Sequence, residues 1–221
     1  VTADPQIDPV LDRARAYFDE FAGEYDKAAT EATWLPNDLL AEDLPAIGPV
    51  GHAADLACGT GRTLEVLRHA YPGADLVGVD FSTTMLDIAR NRVGDVWYVH
   101  ADVASFVAAC DQEFDLVTVI GGFEFVADLP TVLQGVRAVV RPGGHLLVTY
   151  EPVIACWQPQ SARVETNLGS NGLDLTTFRW EPGEIELGFD GWLRLHSRLV
   201  VAYQRDGLPT IYGWLHYQRP I

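Results

Sequence analysis

Between residues 52 and 151 short apolar runs alternate with segments whose apolar residues recur every three or four positions. The runs AADLACG, ADLVGVD, VWYVHAD, FDLVTVIGG and HLLVTYE predict strands. RTLEVLRHAY, STTMLDIARNRV and DLPTVLQGVRAVV between them have helical spacing, with Ser82 placed as an N-cap and RPGG as a stop. Strands that are apolar throughout are covered on both faces, so the pattern predicts a doubly wound, mostly parallel α/β sheet. Upstream, Val10, Leu11, Ala14, Tyr17, Phe18, Phe21 and Tyr25 mark a helix over residues 9–28. Downstream, WLRLHSRLVVAYQR and TIYGWLHYQR alternate by two around DGLP. They predict a C-terminal hairpin that brings the sheet to seven strands, with an antiparallel strand at its edge. TTFRWEPGEIELGF before them has room for a short helix, and the stretch around Gly169, Asn171 and Gly172 reads as a mobile loop.

Composition narrows the classes of partner. A chain of 221 residues, 48% hydrophobic, sustains a single domain with one sizeable core. Its formal net charge of −16, with Lys27 as the lone lysine, repels phosphates and argues against nucleic acid and anionic membrane surfaces. The charge serves solubility, or a cationic or amine ligand. Cys58, Cys110 and Cys156 form neither a disulfide framework nor a zinc pattern, and Cys58 reads as a small filler beneath the loop around it. No H-x-x-H or C-x-x-C pairing exists, so no metal is expected. The opening VTADPQIDPVLDRARAYFDEF is not a signal peptide, and no run approaches the ~18 apolar residues of a membrane span. The expected location is the cytoplasm.

The candidate chemistry begins at DLACGTGRT, residues 55–63, where the first strand ends. In an open α/β sheet ligands bind beyond the carboxyl ends of the strands, and Gly59 and Gly61 let the chain turn sharply against one. A dinucleotide fingerprint requires G-x-G-x-x-G/A, and here Leu64 holds the last position. Asp55 would repel a pyrophosphate and could attract the ammonium of a methionine moiety, directly or through water. Asp80 ends the next strand, about where a ribose-binding acid is expected, and its two oxygens suit a diol.

DLACGTGR resembles the first motif of the class I S-adenosylmethionine-dependent methyltransferases, small-molecule type. LVGVDFS, HADV, FDLVTVIGGFEFV and VVRPGGHLLVTYEP resemble the later motifs, in family order, over roughly residues 51–152. The resemblance implies a seven-stranded Rossmann-like methyltransferase sheet in one domain, 1–221. Residues 1–48 would form a helical lid, 51–152 the cofactor-binding core, and 153–221 an acceptor-side loop and C-terminal strands. It implies S-adenosylmethionine as cofactor, Asp80 on the ribose hydroxyls, Asp102 on the adenine amine and Val103 against the ring. Asp55, Ala57, Gly59, Gly61, Phe81, Met85, Ile120 and Gly121 complete the implied cofactor contacts. Tyr17 and Tyr25 either cap the cofactor from the lid, with Trp34 behind, or serve as core aromatics.

A sulfonium methyl is already electrophilic, so such an enzyme mainly has to hold its acceptor in line, and a general base is needed only for a protonated acceptor. Glu124, where many relatives have histidine or an aromatic, and Glu151, at the end of the fifth strand, are the candidate catalytic residues. His216 is a weaker candidate for the acceptor pocket, and the other histidines sit away from the crevice or pack. The expected activity is methyl transfer to an O, N or C atom of a small molecule, in a biosynthetic setting. The alternatives are an isomerase, cyclase or binding protein that uses the same cofactor without transfer, and a nicotinamide oxidoreductase. Trp192, Tyr212 and Trp214 read as exposed aromatics forming either a homodimer face or a pocket wall.

Overall fold

The computed structural model describes residues 9–154, 163–167, 174–205 and 207–221; Cys156 and the stretch around residues 169–172 lie outside them. Two helices lead the chain, α1 (Pro9–Glu31) and α2 (Pro36–Asp43). The alternating core follows as β1 (His52–Leu56), α3 (Arg62–Ala70), β2 (Asp75–Asp80), α4 (Thr83–Arg92), β3 (Val96–His100), α5 (Val103–Ala109), β4 (Phe114–Val119), α6 (Leu129–Val139) and β5 (Val140–Tyr150). After it come β6 (Arg163–Asn167), β7 (Asp174–Phe178), α7 (Pro182–Gly188), β8 (Leu193–Arg205) and β9 (Leu208–Gln218).

Short polar side chains start the core helices as the sequence leads one to expect. Ser82 Oγ accepts the Met85 N–H at 3.1 Å, and Asp102 and Asp128 accept the N–H groups of Ser105 and Thr131. The sheet order is β3-β2-β1-β4-β5-β9-β8, with β1 to β5 parallel. The antiparallel strand is not the edge strand expected from the sequence. β9 pairs antiparallel with β5 on one side and with β8 on the other, so β8 takes the edge and runs with the parallel set. Period-two alternation shows that two strands pair, but not which of them meets the existing sheet.

Both faces of the sheet are covered. One core gathers Val107, Leu129, Val136 and Ile185 from α5, α6 and α7 against Val117, Leu146 and Leu215. The other sets Leu40, Leu64, Leu67 and Leu86 from α2, α3 and α4 against Ala53, Leu116, Leu147 and Trp214. α1 belongs to neither. Its Ala14 and Tyr17 pack on Leu175 of β7, with Phe81 and Phe125 alongside, so the helix lies across the carboxyl end of the sheet. No described helix is long and apolar enough to cross a membrane.

Candidate active site

The strand order reverses between β1 and β4, and the crevice opens at their carboxyl ends. Ala57, the first residue past β1, has φ +63°, a left-handed conformation that costs a residue with a Cβ roughly 1–2 kcal/mol. The turn closes with the Gly61 N–H on the Cys58 carbonyl at 2.9 Å. The two glycines then differ. A Cβ on Gly59 would meet nothing within 4 Å, which leaves its side open to a ligand. A Cβ on Gly61 would lie 3.1 Å from the Ala89 Cβ and 3.2 Å from its Cα, so this glycine serves the packing of α4 and does not line the crevice. Leu64, at the position where a dinucleotide site has its third glycine, packs against Gly78 of β2, which provides the missing space.

Asp80 stands at the centre. Its Oδ2 accepts the Gly59 N–H at 2.8 Å and its Oδ1 the Ser82 N–H at 2.9 Å. Burial pushes its pKa up to about 6 against those two bonds, so it is ionised at neutral pH. Alongside it, Tyr25, Ala57, Gly59, Phe81, Met85, Ile120 and Gly121 line a cavity of about 590 Å3. Ala57, Asp80 and Phe81 also bound a neighbouring cavity of about 1390 Å3 that runs to Asp102 and Val103. Both Asp102 oxygens are engaged by Ser105, on its N–H at 2.8 Å and its hydroxyl at 2.6 Å. This carboxylate is thus the cap of α5 as well as a wall of the cavity.

Asp55 lies elsewhere. It is 1% exposed beneath the loop, with Oδ1 accepting from Thr118 Oγ1 at 2.7 Å and Oδ2 without a partner. Burial raises its pKa to about 8, so at pH 7 it holds a proton and has no charge to attract an ammonium or to repel a pyrophosphate. The Cys58 thiol lines the cavity, but burial raises its pKa well above the usual thiol value, and it is not a nucleophile.

A third cavity, about 970 Å3, shares Tyr25, Trp34, Gly121 and Phe125 with the first. Tyr17, Phe21, Tyr203 and Tyr212 complete its aromatic wall. Tyr17 and Tyr25 therefore face this third cavity, Tyr25 from the boundary of both. Tyr212 and Trp214 are not exposed. Tyr212 is 6% accessible, and Trp214 is buried with its Nε1–H on Asp43 Oδ2 at 2.7 Å.

Glu124 sits on the 3-10 turn Phe123–Phe125, 2% exposed, and neither carboxyl oxygen has a hydrogen-bond partner. Burial, with help from the charge of Glu151, pushes its pKa up to about 8; the Tyr212 hydroxyl facing it eases the shift. Glu151 is committed to Arg179, whose Nε donates to Oε1 at 2.7 Å, and it lines none of the three cavities. His216 is far from the crevice. It lines none of the three cavities and pairs with Leu147 of β5, its Nε2 3.0 Å from His145 Nδ1.

Sequence reasoning missed the groups that fasten α1 and the turn after it. Asp19 Oδ1 accepts from Ser82 Oγ at 2.6 Å, and Asp26 Oδ1 accepts from Thr60 Oγ1 at 2.7 Å while pairing with Arg92. Trp34 Nε1–H donates to Asn37 Oδ1 at 2.9 Å, and Asn37 to Thr63 Oγ1 at 3.2 Å. Only spatial proximity joins these residues, so no spacing could reveal them. Among the described residues no group of three or more His, Cys, Asp or Glu could hold a metal ion.

Residues 53–144 match the family described as a methyltransferase domain. A trans-aconitate 2-methyltransferase of Rhizobium meliloti (strain 1021) is 32% identical over 129 residues, which is 58% of this chain and 48% of that protein. A demethylmenaquinone methyltransferase of Clavibacter sepedonicus is 36% identical over 140 residues, 60% of this chain and 56% of that one. The chain thus spans about half the length of these curated relatives. In fold it is similar to DhpI in complex with SAH (TM-score 0.69, 20% identity, 96% and 97% of the two chains covered). It is also similar to the magnesium protoporphyrin IX methyltransferase of Synechocystis PCC 6803 with bound SAM (TM-score 0.68, 14% identity, 98% and 100% covered). Over residues 53–144 the chain thus matches a methyltransferase domain, and its overall fold is similar to that of methyltransferases solved with SAH or SAM.

Proposed function

We propose that this chain transfers a methyl group from S-adenosylmethionine to a small molecule held in the aromatic cavity. The observation that carries the reading is the continuity of the crevice, from Asp102 past Asp80 to Gly121 and Phe125, where it meets that cavity. The residues suit the cofactor. Asp80 keeps lone pairs for a ribose diol beside its two backbone bonds, and the open side of Gly59 is the space a Cβ would take. Val103 and Phe81 offer apolar surface to an adenine, and Arg62 on the central wall suits the amino-acid carboxylate.

When bound, S-adenosylmethionine supplies an activated methyl group. The work of the chain is to orient and to exclude water. α1, fastened through Asp19 and Asp26, covers the crevice, and Gly121, packed beside the Trp34 ring, lines both cavities. Proximity of this kind is worth roughly 7–11 kcal/mol when both reactants are held. The test is incubation with methyl-labelled S-adenosylmethionine and a panel of amines, phenols and carboxylic acids. A product heavier by one methyl, with S-adenosylhomocysteine in equal amount, supports the reading. An acceptor consumed without mass gain would favour an isomerase or cyclase, and no turnover across the panel would count against catalysis of this kind.

A further inference from the structure

We propose that the aromatic cavity recognises an amine entering as a cation, with Glu124 as its buried counter-charge. The inference rests on the methyl-transfer reading only for what later happens to the amine.

The wall of the cavity is built from ring faces, chief among them Tyr17, Tyr25, Trp34, Tyr203 and Tyr212. Among the described residues it contains no arginine, lysine or histidine, and Gln204 is the one amide on it. An anionic acceptor would find no positive partner there. Of the cations around the wall, Arg179 is held through its Nε by Glu151, and Arg62 lines the neighbouring cofactor cavity. Aromatic faces carry negative quadrupoles and attract cations, most strongly where water is excluded.

Glu124 lies behind the hydroxyl-bearing rings Tyr212 and Tyr25, close enough for its charge to act on both. Its two oxygens are buried just outside the cavity lining, with the Tyr212 hydroxyl and its own backbone N–H facing them but no partner at full hydrogen-bond geometry, a sparse pairing for a native carboxyl. The charged and titratable groups around it are Tyr25 from α1, Glu151 with its Arg179 partner, and Tyr212 from β9. The described side chains of β7 against this turn, Leu175–Phe178, carry no charge. Glu151 and Arg179 neutralise each other, so an ionised Glu124 would be a lone buried anion. At rest it therefore keeps its proton, consistent with its pKa of about 8. A cation in the cavity reverses that preference, and Glu124 releases its proton to solvent as the ion pair forms.

Benzyltrimethylammonium tests this, because it is cationic and aromatic and has no proton of its own to lose. Titration calorimetry at pH 7 in phosphate and in Tris, with S-adenosylhomocysteine present, counts the protons released. The account expects saturable binding with release approaching one proton, no binding of benzoate, and benzyl alcohol at least tenfold weaker. Glu124→Gln should bind the cation at least tenfold more weakly and release no proton. Trp34→Leu, which leaves Glu124 and its neighbouring hydroxyl in place, should weaken binding while keeping the proton release, and stands in if the first variant does not fold. Equal binding of benzoate or benzyl alcohol, cation binding without proton release, or no cation binding by protein that still binds S-adenosylhomocysteine would overturn the proposal and leave the methyl-transfer reading intact. Failure of wild-type protein to bind S-adenosylhomocysteine would count against that reading instead.

Discussion

Asp80 and Glu124 are both nearly inaccessible acids at the carboxyl end of the same sheet, yet their surroundings are opposite. Asp80 receives two backbone N–H groups from the turns on either side of it and is ionised at neutral pH. Glu124 has only its own backbone N–H and the Tyr212 hydroxyl facing it, and burial raises its pKa to about 8. The donor side of the crevice is thus a finished electrostatic site, assembled from backbone and short turns. The neighbouring cavity is a shell of aromatic rings from α1, β8 and β9 with Glu124 behind it, an acid that in our proposal takes its charge from what binds. A preorganised anion suits a constant ligand, and an adjustable one suits selection among acceptors.

The contrast breaks most visibly at Asp80. Removing two charge-assisted hydrogen bonds, each worth ~1.5–3 kcal/mol, should weaken S-adenosylhomocysteine at Asp80→Ala by roughly 100-fold or more. Glu124→Gln should change that affinity less than about threefold. Calorimetry on both variants checks the pair, and equal losses would dissolve the distinction.

A stability effect of similar size is expected at the His145–His216 pair, where burial and the neighbouring His145 lower the His216 pKa to about 4. The unfolded chain then binds a proton that the folded one refuses between about pH 6.5 and 4, so this group costs stability as pH falls through that window, roughly 3 kcal/mol in all. Asp55 and Glu124, with raised pKa values, act oppositely and cost stability as pH rises toward 8. Urea midpoints measured from pH 7.5 to 4.5 should fall less steeply with acid in His216→Gln, while ligand affinity at pH 7.5 stays unchanged.

Gly61→Ala should cost about 2 kcal/mol of stability, because φ is +84° and the new Cβ would press on the α4 backbone. Thermal melting reads this. The smallest effect is expected at the lid. Asp26→Asn weakens a half-exposed contact with Arg92 and Thr60 worth at most about 1 kcal/mol, so S-adenosylhomocysteine should dissociate no more than about fivefold faster.

The donor side was legible because its parts are local. A strand ending in glycine or acid, a cap three residues ahead of its amide, and an acid at the end of β2 are all fixed by neighbours in sequence. Even there the chain misled over Asp55 and Gly61, whose burial and packing depend on Thr118 and Ala89. The acceptor side was legible only in outline. Glu124 could be singled out by its place after β4, but its partnerless state depends on Tyr212, Glu151 and Tyr25 arriving from three other elements. The pairing of β6 with β7 was read as a loop because its residues are polar and lack a sustained alternation.

The most direct test of the account is a crystal structure with S-adenosylhomocysteine bound. The account predicts adenine beside Val103, the ribose hydroxyls on Asp80, and the sulfur near Gly121 facing the aromatic cavity. A ligand bound in the reverse direction, or with its adenine among Tyr17, Trp34 and Tyr203, would contradict it.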